Sequence, residues 1–85
     1  MALMEESAAK IPPFGPVLRR LRKERNLTQE QLAVLLGYDS ANYVSKLELG
    51  QKGPSVALLF KIALALQMMP SQLIAEMEKD WQRPG

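Results

Sequence analysis

The sequence predicts an all-α domain of five short helices. Three observations carry that prediction. Apolar residues recur at helical spacing in five segments and alternate at strand spacing in none. The segments are punctuated by helix signals: Thr28, Ser55 and Pro70 at starts, Asn26, Gly37 and Gly50 at stops. The links between segments have ordinary loop lengths, and no internal repeat is present.

Residues 1–13 are expected to form a flexible N-terminal arm. The prolines of "IPPFGP" argue against a regular helix before Pro16. From Phe14 the series Phe14, Val17, Leu18, Leu21 runs at helical spacing down to Arg25, and Asn26 suits the left-handed conformation that ends a helix. Thr28, with Gln31 three residues on, forms a capping box and opens a second helix. That helix carries Leu32, Ala33 and Leu36 and stops at Gly37. A third helix is expected from residue 40 or 41 to 49, with Val44, Leu47 and Glu48 inward and Gly50 as its stop. "QKGPS" is a loop leading into a fourth helix over residues 56–66. Pro70 fits the first turn of a fifth helix, which carries Leu73, Ile74 and Met77 toward Trp81. The expected organisation is one domain over residues 14–80 and a short tail, 81–85.

Composition narrows the chemistry. The chain has 85 residues, 47% apolar and 24% charged, which is globular rather than disordered. It contains no Cys and no His, so the commonest metal ligands and general bases are missing. No Gly-rich phosphate loop or paired carboxylates are evident, so no catalytic residue, metal site or cofactor is expected. The most apolar stretch, "VALLFKIALAL", is too short to cross a membrane and carries Lys61. The opening "MALMEESAAK" lacks the apolar run of a signal peptide. A cytoplasmic protein with no membrane association is expected. Net charge is only +2, yet five of the eleven basic residues fall between Arg19 and Arg25, while Glu76, Glu78 and Asp80 lie near the other end. This asymmetry suggests a phosphate-facing side and a different far side.

The second and third helices are joined by a very short link. Ala33 is small enough for close approach, Gly37 permits positive φ, and Val44 fills the angle between the two helices. These are the requirements of a helix-turn-helix. The ordered segments "FGPVLRRLRKERNLTQEQLAVLLG", "YVSKLELGQKGPS" and "LFKIALAL" resemble the phage-repressor-like (Cro/repressor, XRE-type) DNA-binding domain, over residues 14 to about 78. The resemblance implies a five-helix lambda-repressor-like fold whose third helix enters the major groove of double-stranded DNA.

On matching positions, the resemblance assigns base edges to Ala41, Asn42, Tyr43, Ser45 and Lys46. Asn is suited to an adenine edge, Ala to a thymine methyl, and Lys to guanine or phosphate. Phosphates fall to Thr28, Gln29, Ser40 and Lys52. Each has a plainer reading: Asn42 bonding its own backbone, Tyr43 packing by its ring, Thr28 as a cap, Lys46 and Lys52 as solvated lysines. Arg22 and Glu48 sit beside inward positions on the first and third helices. The family often joins these positions, so a structural Arg22–Glu48 ion pair is expected.

Several features depart from a minimal monomer. The fourth helix is apolar almost all round, with Ala57, Leu58 and Leu64 at positions where relatives carry polar residues, and such a helix needs cover on more than one side. Leu64, Ile74, Met77 and Trp81 are the expected homodimer interface, and a two-fold dimer would read a near-palindrome. Val34 and Leu35 add outer apolar surface, or are ordinary scattered surface hydrophobes. Gln67 stands where relatives have Gly, and Met69 replaces a polar cap before Pro70, so the start of the fifth helix is expected to be less well fixed. The leading function is a sequence-specific transcriptional regulator. The alternatives are the antitoxin of a toxin–antitoxin pair, with a toxin as protein partner, and a protein-binding adaptor.

The spacing from Gly37 to Gly50 is one residue longer than is common in the family, so the extra residue lies between Gly37 and Val44. Either Ser40 caps the third helix, or Asp39 does and the helix is one residue longer. In the second case Ser40 and Ala41 move onto the leading edge and Asn42 rotates away.

Overall fold

The computed structural model describes residues 14–80. The expected arm, the tail and Trp81 lie outside the described residues. Five helices follow in order: α1 Phe14–Glu24, α2 Gln29–Leu35, α3 Asn42–Glu48, α4 Val56–Ala65 and α5 Pro70–Asp80. No strand occurs among the described residues.

Helix α1 begins two residues earlier than the proline argument allowed. Pro16 is its third residue, and the first four N–H groups of a helix have no partner within it. The missing N–H therefore removes nothing, and the helix starts at Phe14. Gly15, in the same turn, is buried against the end of α3. A Cβ built on Gly15 would lie 2.4 Å from the Glu48 carbonyl oxygen and 2.8 Å from that of Leu47. Only a residue without a side chain allows the two backbones to come this close.

Four helices end by the same local device. A residue with left-handed φ follows each: Asn26 (57°), Gly37 (83°), Gly50 (78°) and Gln67 (59°). At each corner two backbone bonds run back into the helix. Leu27 N–H donates to the Arg22 carbonyl and Asn26 N–H to that of Lys23; the pairs Tyr38–Ala33 with Gly37–Val34, Gln51–Lys46 with Gly50–Leu47, and Met68–Ala63 with Gln67–Leu64 repeat it. This is the Schellman motif, which satisfies carbonyls otherwise left open at a helix end. Gln67 takes the conformation without being glycine.

The starts are capped as well. Thr28 Oγ1 accepts from Gln31 N–H at 3.0 Å and Gln31 Oε1 accepts from Thr28 N–H at 2.8 Å, so the capping box is complete. Ser55 Oγ accepts from Leu58 N–H at 3.0 Å and starts α4. The start of α5 is better held than expected. Met69 supplies no side-chain cap, but Gln72 Oε1 accepts from Met69 N–H at 2.8 Å and provides half of a box.

The core draws on every helix. Val17, Leu18 and Leu21 of α1 meet Leu32 and Ala33 of α2, Val44 and Leu47 of α3, Leu58, Ile62 and Ala63 of α4, and Leu73 of α5, with Leu36 and Leu66 at helix ends. Each fully buried leucine contributes about 1.5–3 kcal/mol relative to exposure. α4 buries only one side of its apolar surface: Val56, Phe60 and Leu64 remain exposed.

The charge asymmetry of the sequence does not become two separate sides. Arg20 Nη2 donates to Glu76 Oε1 at 3.0 Å and so ties α1 to α5, and Lys79 Nζ donates to Glu76 Oε2 at 3.1 Å. Arg25 Nε donates to the Leu66 carbonyl at the end of α4. Arg20, Arg22 and Arg25 thus hold the domain together, while Arg19 and Lys23 are exposed. The basic α1 and the acidic α5 meet in space, which linear charge counting does not reveal.

Candidate nucleic-acid interface

The site rests on how α3 is set against α1 and α2. Val44, Leu47 and Glu48, at spacings of three and four, form the inward stripe of α3 and are buried. Asn42, Ser45 and Lys46 share the same spacing on another face. Asn42 and Lys46 are exposed and Ser45 is half-buried. Among the described residues, the Asn42 and Lys46 side chains make no hydrogen bond within the protein, so their polar groups are open to a partner.

The longer turn ends in neither of the two expected caps, Ser40 or Asp39. Ala41 is at the N-cap position of α3, with φ −78° and ψ 0°, and has no side-chain cap bond of its own. Ser40 Oγ accepts from Asn42 N–H at 3.3 Å, and the Ala41 carbonyl accepts the first helical bond, from Ser45 N–H, at 2.9 Å. The extra residue is therefore taken up between Tyr38 and Ser40, and Asn42 opens the helix. The helix is shorter than expected at its far end too, since Leu49 is its C-cap.

Tyr43 has a dual position. Its ring lies 5.1 Å from the Tyr38 ring, tilted by 34°, and both pack against the core edge. The ring thus spans the lengthened turn, as the plainer reading of Tyr43 had it. Lys52 is exposed but is brought back to α3: the Lys46 carbonyl accepts from Gln51 N–H at 2.9 Å and from Lys52 N–H at 3.3 Å.

Arg22 and Glu48 form a buried, two-pronged pair. Arg22 Nε donates to Glu48 Oε2 at 2.6 Å and Nη2 donates to Oε1 at 3.1 Å. Both residues are 8% exposed. The hydrogen bond to Glu48 raises the Arg22 guanidinium above its ordinary value despite the opposing effect of burial, with attraction to Glu30 adding to it. Arg22 Nη1 also donates to the Leu27 carbonyl at 2.8 Å, which fastens the α1–α2 corner.

Gln29 makes a contact beyond the role expected of it. Its side chain is not simply extended toward solvent: Nε2 donates to Glu48 Oε1 at 3.0 Å. One buried carboxylate thus joins α1, α2 and α3. Neither this bond nor the Gly15 contact was anticipated from sequence. The signal for the first was present, in a Gln at the opening of α2 beside a Glu already expected inside. The signal for the second was the Gly within the first turn of α1.

Leu64, on α4, is exposed. It lines an open groove of about 470 Å³ between α2 and α4, together with Val34, Leu35 and Ala65 and with Lys61 at the edge. Ile74 is 41% exposed on α5, and Met77 is half-buried against the core. Among the described residues no group of three or more Asp or Glu is arranged to hold a metal. No single helix among them is long and apolar enough to cross a membrane.

Two short helices set across a tight corner, with the second presenting a polar face, define a helix-turn-helix protein. Over residues 18–73 the chain matches the helix-turn-helix family model, and it belongs to that family, in its XRE-type branch. It is 45% identical over 64 residues to the uncharacterized HTH-type transcriptional regulator RghRB of Bacillus subtilis, a match covering 74% of this chain but 45% of that one. The chain therefore spans less than half the length of that relative. It is 37% identical over 68 residues to the control protein C.MunI of a Mycoplasma species, covering 79% of this chain and 90% of that one. Its fold superposes on the restriction-modification controller protein C.AhdI of Aeromonas hydrophila with a TM-score of 0.68 and 42% identity, over 76% of this chain and 97% of that one.

Proposed function

We infer that this protein is a sequence-specific DNA-binding transcriptional regulator that lays α3 in the major groove. The observation that carries this reading is the exposed face of α3. Asn42 and Lys46 offer unsatisfied polar groups on a helix whose opposite face is locked to α1 and α2 through Glu48. Asn42 reads an adenine edge, Lys46 a guanine or phosphate, and Ala41, Tyr43 and Ser45 flank them. Thr28, Gln29, Ser40 and Lys52 serve phosphates, which set register without reading sequence. Binding as a homodimer fits the exposed apolar side chains on α4 and α5, Leu64 and Ile74 among them. It would place two α3 helices on successive turns of DNA. The setting is the cytoplasm.

Selection from random duplex DNA tests this directly. The expected product is a near-palindrome, and Asn42→Ala should relax preference at one position per half-site. If preference persists in Asn42→Ala but vanishes in Lys46→Ala, the base-reading role belongs to Lys46. Two of the relatives compared above are control proteins by name, one of them a restriction-modification controller. Promoters of restriction-modification genes are therefore the first natural DNA to try. The groove between α2 and α4 supports a second reading, an antitoxin with a protein partner. Recovery of a toxin in complex with the natively expressed protein would favour it.

A further inference from the structure

We propose that Glu48 is a positioning residue for the DNA grip of α2, acting through the side chain of Gln29. The proposal rests on the phosphate role given to Gln29 above. The two oxygens of Glu48 have three donors. Oε2 takes Arg22 Nε, while Oε1 takes both Arg22 Nη2 and Gln29 Nε2. Arg22 alone, with a bidentate grip, would account for the charge.

The third donor has a specific consequence. An ionised carboxylate only accepts hydrogen bonds, so the Gln29 amide must present its NH₂ end to Glu48. Its rotation is thereby fixed, although a terminal amide torsion is otherwise broad. One amide hydrogen is used inward. The second stands about 120° away in the plane of the amide, as trigonal nitrogen geometry requires. It remains a donor, polarised by the carboxylate on the first, and a phosphate oxygen is its matching acceptor. Gln29 is half-buried, while the carboxylate behind it is buried. The same carboxylate holds Arg22, whose Nη1 fastens the Leu27 carbonyl two residues before Gln29. Glu48 therefore sets the orientation of the first side chain of α2, while Arg22 fastens the backbone that leads into it. α3 thus governs how α2 meets the DNA backbone, without Glu48 touching DNA.

The first measurement uses the unaltered protein. In its nitrogen–proton spectrum the two side-chain amide hydrogens of Gln29 should be strongly inequivalent, one shifted downfield and slow to exchange. A mixed-sequence duplex at low salt, which reports phosphate contacts, should shift the other. Two ordinary, exposed amide signals in the free protein would overturn the proposal even if no variant folds. The second measurement is a cycle on the same duplex. Gln29→Ala should weaken binding about tenfold, the scale of one hydrogen bond to a charged group. At a temperature where circular dichroism shows every variant folded, Glu48→Gln should weaken it similarly, and the double variant no more than Gln29→Ala alone. Additive losses would mean that Glu48 acts by another route and would sink the positioning role. If Gln29→Ala binds as tightly as the parent while the amide signals remain inequivalent, the hydrogen bond stands but the phosphate reading of Gln29 fails, and the positioning role fails with it.

Discussion

At the scale of single residues, two positions concentrate the stability of the site. Glu48 is the first. Its carboxylate neutralises a buried arginine, so Glu48→Gln leaves an uncompensated charge beside the core. Removing one partner of such a pair costs about 3–5 kcal/mol. A thermal melt of the variant should fall by well over ten degrees, given about 4–8 °C per kcal/mol in a domain of this size. A change of a degree or two would show that the pair contributes little. Gly15 is the second. Gly15→Ala normally favours a helix, but here the new methyl would overlap the carbonyls of Leu47 and Glu48. Helix propensity and steric overlap oppose each other, and overlap with backbone is the larger effect. We expect a loss of about 1–3 kcal/mol, read as a shift in the urea midpoint. Stability equal to or above the parent would mean that α1 can slide away from α3.

These two residues also mark what sequence makes visible. The inward place of Glu48 follows from its spacing to Val44, and family resemblance points to Arg22 as its partner. That Gln29 joins them does not follow, because the contact depends on the angle between α2 and α3. Gly15 is equally opaque. A glycine in a first turn reads as a weak helix former, and only the approach of another backbone gives it a purpose. Base and phosphate assignments depend on a partner, so neither spacing nor fold alone settles them.

At the scale of elements, boundaries were more legible than contacts between helices. Caps and stops are local, written within six residues, and so Thr28, Gly37, Gly50 and Ser55 could be read directly. The exception at α1 arose because proline is a breaker inside a helix but not in its first turn. Gln67 offers a test of corner chemistry. A left-handed conformation costs a side-chain-bearing residue about 1–2 kcal/mol, partly offset in Gly by the freedom it gains when unfolded. Gln67→Gly should therefore raise stability by roughly 0.5–1 kcal/mol; a lower melting temperature would show that the Gln side chain makes a compensating contact.

The α1–α5 junction has a pH signature. Hydrogen bonds from Lys79 and Arg20 hold the Glu76 carboxyl below its ordinary value of 4.5. A carboxylate with a lowered value in the folded state adds stability that is fully present above its ordinary value. That stability is lost as pH falls through the folded value. Glu76→Gln should thus narrow the difference in melting temperature between neutral pH and pH below about 4. An unchanged difference would mean that Arg20 and Lys79 are just as well satisfied by water.

For the molecule as a whole, the open question is association. A domain of this size buries a limited core, and Val34, Leu35 and Leu64 are 71%, 57% and 73% exposed. We expect light scattering at tens of micromolar to give the mass of a dimer. Substituting Leu64→Glu distinguishes the groove from α5: if the groove is the interface, the variant is monomeric and still folded. A dimer unaffected by this change would place the interface elsewhere, with Ile74 the next residue to alter. Operator affinity would then depend on protein concentration, so regulation could follow abundance alone.

The contrast between the two faces of α3 has a further consequence. The corner, the caps and the three-helix clasp at Glu48 are built without the side chains of Asn42 and Lys46. Those two residues support nothing inside the protein, so the domain can exchange them without disturbing its frame. With α3 reading DNA as proposed, a set of variants with altered outer residues would keep one architecture while each recognised a different address. New specificities could then arise by drift at a few exposed positions, with no intermediate that fails to fold.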